Sequence, residues 1–225
     1  MPKDFRLSLL VFVAVLAGAV SLISAPGSAQ ADSWWAQAGW IQSDTGLVRD
    51  GDGLWAGVEG RRPLGIGPVD IGYSLAYAQK VGSVILVFSH PLTGFLVGPA
   101  EVTLHTLEAA VTPGIGADLG PARATVFGGA AIALKLAETW DTPFGTPAQD
   151  YSYEDIDLAL VMGVSLAYGP WMLDFRFDVG TKDQLLLQGD LPTKAADPVG
   201  DNPLPAAGNR IDSLRLGLGY RFSGP

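Results

Sequence analysis

Residues 214–222 read "LRLGLGYRF", and the fold turns on how that stretch is taken. Leu214, Leu216, Leu218, Tyr220 and Phe222 fall on one side; Arg215, Gly217, Gly219 and Arg221 fall on the other. Strict alternation is the period of a β-strand, whose side chains point to opposite faces in turn. The apolar side requires a cover, which is either a protein core or the hydrocarbon of a membrane.

The same period recurs upstream. Val69 to Gln79, "VDIGYSLAYAQ", sets Val69, Ile71, Tyr73, Leu75 and Tyr77 against Asp70, Gly72, Ser74, Ala76 and Ala78. Asp155–Tyr168 and Trp171–Gly180 repeat it, and Trp34–Gln42, Leu54–Arg62, Thr103–Gly116 and Arg123–Ala137 give weaker versions. With Ile211–Phe222 that makes eight strands. Their connections alternate between short ones rich in Gly and Pro (Pro63–Pro68, Ala117–Pro121, Gly169-Pro170) and long ones. The long ones are Ser43–Gly53, Lys80–Val102, Glu138–Glu154 and Thr181–Arg210. Short and long in turn is the pattern of an antiparallel up-and-down barrel in an outer membrane, with turns inside and loops outside. Only a closed sheet or a helix satisfies its backbone in hydrocarbon. The expectation is an all-β transmembrane barrel whose large apolar residues face lipid. Tyr73, Tyr77, Tyr168, Trp171 and Tyr220 near strand ends would form interfacial girdles. A soluble sandwich or lipocalin-like barrel has the same alternation with the faces reversed.

Composition agrees with β-structure. The chain has 225 residues, of which 29 are Gly and 16 Pro, and only 16% are charged. A formal charge of −9 argues against a nucleic-acid partner, whose phosphates demand a basic surface. The absence of Cys excludes disulfides and thiolate metal sites. At the N-terminus, Lys3 and Arg6 precede the apolar run Leu7–Ile23, and Ala29-Gln30-Ala31 is an A-x-A cleavage site. Residues 1–31 are therefore expected to be a cleaved signal peptide, leaving residues 32–225 as one barrel domain exported to the outer membrane.

On these features the chain resembles the small eight-stranded outer-membrane barrels of the OmpA/OmpX type, over Trp34 to Phe222. Its last strand looks like the terminal signal read by the outer-membrane insertion machinery. Arg215, Gly217, Tyr220 and Phe222 match that signal, and Ser223-Gly224-Pro225 follows where many relatives end. The resemblance implies outer-membrane lipid and the insertion machinery as partners, and a monomer.

An eight-stranded barrel is wide enough for its own side chains or one small ligand. The polar faces carry Glu59, Asp70, Glu108, Asp157, Asp174 and Asp178 together with Arg61, Arg123, Lys135, Arg176, Arg215 and Arg221. Charges away from water must be paired and hydrogen-bonded. The balanced set is expected to form an ion-pair network that closes the lumen; the alternative is a proton or ion path through the same groups.

Signs of chemistry are sparse. His90, beside Ser89, falls in a long loop, and His105 falls near the outer end of the fourth strand. Neither has a sequence context that supplies both nucleophile and orienting group, and the His-x-Ser pattern of barrel lipid A deacylases is not present. "RDGDG" (Arg49–Gly53) lacks the twelfth-position Glu of a calcium loop, where Arg61 stands. "GIGADLG" (Gly114–Gly120) has no helix after it to make a phosphate site. No catalytic residue, metal or cofactor is expected. The apolar stretch "SVILVFSHPLTGFLVG" (Ser83–Gly98) is unusual for a loop. It reads as a hairpin prolonging the barrel, as two further spanning strands (ten in all), or as a site for a partner, lipid or hydrophobic solute. OmpW-type barrels, also eight-stranded, give the last reading its precedent. The sequence thus points to a non-enzymatic barrel presenting surface loops for a structural or interaction role. A narrow channel or transporter of small hydrophobic solutes is the second reading, and a barrel enzyme acting on lipid or peptide the third.

Overall fold

The structure is a computed structural model that describes residues 33–44, 49–90, 94–142, 150–181, 185–188 and 211–223. The expected signal peptide, residues 1–31, lies outside the described residues, as does most of the Thr181–Arg210 connection.

Ten strands occur in chain order: β1 (Ser33–Asp44), β2 (Arg49–Pro63), β3 (Val69–His90), β4 (Gly94–Leu119), β5 (Ala122–Asp141), β6 (Asp150–Tyr153), β7 (Ile156–Tyr168), β8 (Trp171–Gly180), β9 (Leu185–Gln188) and β10 (Asp212–Ser223). Eight of them close into a ring, β1-β10-β8-β7-β5-β4-β3-β2, so the first and last strands pair with each other. All neighbours are antiparallel. Among the described residues the short strands β6 and β9 pair only with each other, outside the ring. The ten-strand option is thereby corrected: the wall has eight. The apolar stretch Ser83–Gly98 is a hairpin that prolongs β3 and β4, with His90 opposite Gly94 at its tip. The Lys80–Val102 connection read from sequence is therefore strand for nearly all its length.

Turn chemistry fixes the ring's short end. Gly120-Pro121 and Gly169-Pro170 join β4 to β5 and β7 to β8, and Gly120 and Gly169 have φ of 69° and 57°. A two-residue hairpin of the primed class needs positive φ at its first position, where Gly carries no Cβ penalty.

Orientation follows from burial. On β8, Met172, Asp174, Arg176 and Asp178 are buried while Trp171, Leu173, Phe175 and Phe177 are exposed. On β10, Ser213, Arg215 and Gly217 are inside, and Leu216, Leu218, Tyr220 and Phe222 are outside. Strand β7 buries Asp157, Val161 and Ser165 and exposes Leu158, Leu160, Met162 and Val164. A water-soluble barrel would have these faces reversed. Such a belt of exposed aliphatic and aromatic side chains around a polar interior is stable only where hydrocarbon surrounds it. Among the described residues no helix is long and apolar enough to cross a membrane; the crossing elements are the strands of an outer-membrane type of barrel.

The aromatic residues divide between the two faces. Tyr73, Tyr168, Trp171 and Tyr220 stand outside, and Trp171 packs edge-on against Tyr220 with ring centroids 5.1 Å apart. Trp35, Trp55 and Phe127 are buried inside. Two glycines make this possible: a Cβ on Gly217 would run into the Trp55 indole, and one on Gly163 would run into the Phe127 ring.

Candidate lumen site

The interior is described from the turn end outward. Arg61, on β2, touches two carboxylates: its Nη2 lies 2.7 Å from Glu59 Oε1 and its Nη1 donates to Asp70 Oδ1 at 3.0 Å. Glu59 also accepts a hydrogen bond from the Gln37 side-chain amide at 3.2 Å. Arg123 reaches Asp70 at 3.7 Å and Asp118 at 2.9 Å, with its side chain 40% exposed at the mouth. Around these groups opens a vestibule of about 760 Å³, walled by Trp35, Arg61, Asp70, Arg123, Thr125, Met172 and Arg221 among others. Arg221 is half-buried at its edge.

Midway along the axis the Phe127 ring lies between two guanidinium groups, with Arg61 Cζ 4.8 Å and Arg176 Cζ 5.6 Å from its centroid. The negative face of an aromatic ring attracts a cation at such distances. Arg176 Nη1 donates to Ser74 Oγ at 3.5 Å. Asp174, two residues earlier on β8, is buried with neither carboxylate oxygen accepting a hydrogen bond.

Further out, Arg215 on β10 sits between Glu108 on β4 and Asp178 on β8, bonded to the first and 2.6 Å from the second. Lys80 meets the other oxygen of Glu108 at 2.8 Å, and Thr106 donates to it at 3.0 Å. Ser213 donates to Asp178 at 3.3 Å. The Arg215 guanidinium is 6.0 Å from the Trp55 ring. Ion pairs this deep require that each oxygen and each N–H find a partner, because desolvation otherwise outweighs the attraction. The Glu108 carboxylate, held by three donors, comes nearest to that requirement.

At the outer mouth Lys135 bonds Glu138 at 2.8 Å, lies 3.3 Å from Asp155, and donates to the backbone carbonyl of Tyr153. Glu138 accepts from the Trp140 indole at 2.5 Å and from the Tyr153 amide at 3.1 Å. Tyr153 is buried with Val102, Leu104 and Ile211, and Trp140 stacks on it. Beneath lies a space of only about 20 Å³, bordered by Lys80, Thr106, Lys135, Tyr153 and Asp157.

Of the twelve charged residues read from the sequence, the structure therefore brings Glu59, Arg61, Asp70 and Arg123 into one cluster and Glu108, Asp178 and Arg215 into another. Lys135 stands apart in the mouth cluster, and Asp157 borders the space beneath it. Asp174 and Arg176 lie between without direct ion pairs, and Arg221 is at the rim. Sequence reasoning missed Lys80, which was assigned to a loop. The signal was present, since Ala76, Ala78 and Lys80 continue the inward register of β3. Gln37, Trp55 and Phe127 were missed because the alternation is weak in β1, β2 and β5. Of the terminal-signal residues, Arg215 and Gly217 face inward and Tyr220 and Phe222 outward.

The two histidines are not drawn together. Tyr77 and His105 share a hydrogen bond of 2.5 Å between the phenol oxygen and Nδ1, with their rings stacked 6.0 Å apart. Both occupy the lipid-side register of their strands, opposite to Ala78 and Thr106. His90 closes β3, and its side chain lies outside the described residues. Among the described residues no group of three or more acidic or His side chains is placed to hold a metal ion.

No family model matches the chain, and no curated protein does. Solved structures do. Ail, the attachment invasion locus protein of Yersinia pestis, in complex with the heparin analogue sucrose octasulfate, matches over 86% of this chain and 99% of its own, at 14% identity and a TM-score of 0.41. Neisserial surface protein A matches over 85% of this chain and 97% of its own, at 14% identity and a TM-score of 0.43. Both are small eight-stranded outer-membrane barrels. The closed antiparallel eight-strand ring described above rests on this chain's own strand pairings.

Proposed function

We propose that this protein is a monomeric, non-enzymatic outer-membrane barrel that seals its own lumen and acts through the part that stands above the membrane. The observation that carries this reading is the run of buried charges along the axis, from Arg61 with Glu59 and Asp70 to Arg215 with Glu108 and Asp178. The ring of Phe127 lies against Arg61 and that of Trp55 near Arg215, both buried among these charges. Moving a hydrated ion through would mean parting pairs that water does not replace, at a cost of several kcal/mol per ion.

The surface role rests on the β3–β4 hairpin. β2 pairs with β3 as far as Ser83 and β5 with β4 as far as Glu101. Residues 84–90 pair with 94–100 and, among the described residues, with no other strand. At 3.4 Å per residue this ribbon stands on the order of 20 Å beyond its neighbours, with no Asp, Glu, Lys or Arg in it. Uncharged strand edges are surfaces on which an extended segment of a partner can pair. Residues Arg215, Gly217, Tyr220 and Phe222 serve recognition by the insertion machinery in this reading. Engagement of His105 Nδ1 by Tyr77 on the outer wall supports a structural rather than catalytic histidine.

Planar-bilayer recording of the refolded protein tests the seal. A silent membrane is expected, and discrete steady openings from the unaltered protein would overturn it.

A further inference from the structure

The turn-side lip carries its own apolar surface. In the β2–β3 connection Leu64 is 46% and Ile66 73% exposed, and beside it Leu119 at the end of β4 is 59% exposed. The vestibule is walled by Pro63, Gly67, Pro68, Gly116, Asp118 and Gly120 but by none of those three, so their side chains lie on the outside of the rim. The turn is also preformed. Leu64 N–H donates to Val69 O at 3.0 Å, Gly116 N–H donates to Pro68 O at 2.8 Å, and Gly65 and Gly67 hold φ of 72° and 58° on either side of Ile66. Left-handed backbone at both flanks is open to Gly and strained for other residues, which fixes where Ile66 is displayed.

The opposite arc of the same rim is aromatic. Tyr168, Trp171, Tyr220 and Phe222 stand there, the residues that settle at the headgroup boundary. On the β2–β5 arc the exposed side chains nearest the tip are instead aliphatic, and Tyr73 stands further along β3. Ile115 on β4 is 63% and Val126 on β5 66% exposed, in line with Leu119. Rings stop at the boundary, whereas aliphatic side chains continue into hydrocarbon.

We infer that the β2–β3 turn and the end of β4 are immersed in the phospholipid of the inner-facing leaflet, so that the barrel sits deeper on this arc than on the aromatic one. The occupant is a lipid surface, because the patch is continuous with the lipid-facing belt.

The native chain has no Cys, so Ile66→Cys creates one labelling position, with Leu64→Cys as its second and Pro170→Cys in the aromatic arc as reference. Each full-length variant is refolded into phosphatidylcholine–phosphatidylglycerol vesicles and carries a nitroxide. Heat-modifiable gel mobility certifies that it has folded. The label at Ile66 or Leu64 is expected to collide several-fold more with oxygen, relative to a water-soluble nickel chelate, than the label at Pro170. Equal or greater nickel accessibility at position 66 overturns the inference. So does protection that appears only at high protein-to-lipid ratio, the mark of a second copy, or only in native envelopes, the mark of a protein partner.

Discussion

At the outer mouth Tyr153 packs among Val102, Leu104 and Ile211 and leaves a space of about 20 Å³ beneath it. At the turn-side mouth the arginines stand around a vestibule of about 760 Å³. The buried level beneath the outer mouth and the open turn-side mouth use the same ionic vocabulary with different consequences. Arg215 has a side chain 2% exposed and is compensated by its two carboxylates and the Trp55 ring, whereas Arg123 is 40% exposed and its partner Asp118 75%. Water supports the second pair and not the first. Depth along the axis, rather than the identity of the paired groups, decides what each pair is worth.

That contrast is open to direct attack, and the largest effect is expected at its buried end. Arg215→Ala leaves Glu108 and Asp178 facing each other without their shared guanidinium, a loss of about 3–5 kcal/mol for a broken buried pair. Its urea midpoint, followed by heat-modifiable mobility in bilayers, falls accordingly; an unchanged midpoint means that the lumen there is wet. Next comes Tyr153→Ala. Removing a buried aromatic side chain costs about 3 kcal/mol or more in a packed cluster, and here it also uncovers the mouth, so brief openings are expected in planar bilayers. A silent Tyr153→Ala barrel would move the seal entirely to the Arg215 level.

A smaller change is predicted for Gly217→Ala, whose new methyl meets the Trp55 indole. Overpacking of this kind costs about 1–3 kcal/mol, and in a Trp55→Ala background, where the ring is gone, most of that cost is expected to disappear. Failure of that rescue would place the defect in backbone pairing instead. Smallest is Arg123→Ala at the open end, within about 1 kcal/mol of the unaltered protein, with its modest effect vanishing at high salt. A large effect there erases the distinction between the two mouths.

How far the sequence revealed this depended on how cleanly each strand alternated. β7, β8 and β10 interleave large apolar with charged or small residues, and their inward and outward sets emerge as read. β1, β2 and β5 carry Trp35, Trp55 and Phe127 on the inner face, where alternation of polarity offers no clue. Trp55 and Phe127 are accommodated because Gly217 and Gly163 on other strands vacate the space, a relation that no single strand's sequence displays. Lys80 escaped for a different reason. The apolar run after it lacks a polar–apolar rhythm, which disguised the outward prolongation of β3 and β4 as a connection. Pairing partners such as Arg215 with Glu108 depend on ring closure and register, neither of which a single strand encodes.

The wall closes where β10 meets β1, with Trp40 opposite Leu216 and Gly39 opposite Gly217. That seam strand is also the one that brings Arg215 to the acids of β4 and β8, and the one whose missing Cβ at position 217 admits Trp55. Closure of the wall and the pairing of Arg215 with Glu108 and Asp178 thus depend on the same strand. Without this strand Glu108 and Asp178 would lack the guanidinium they share.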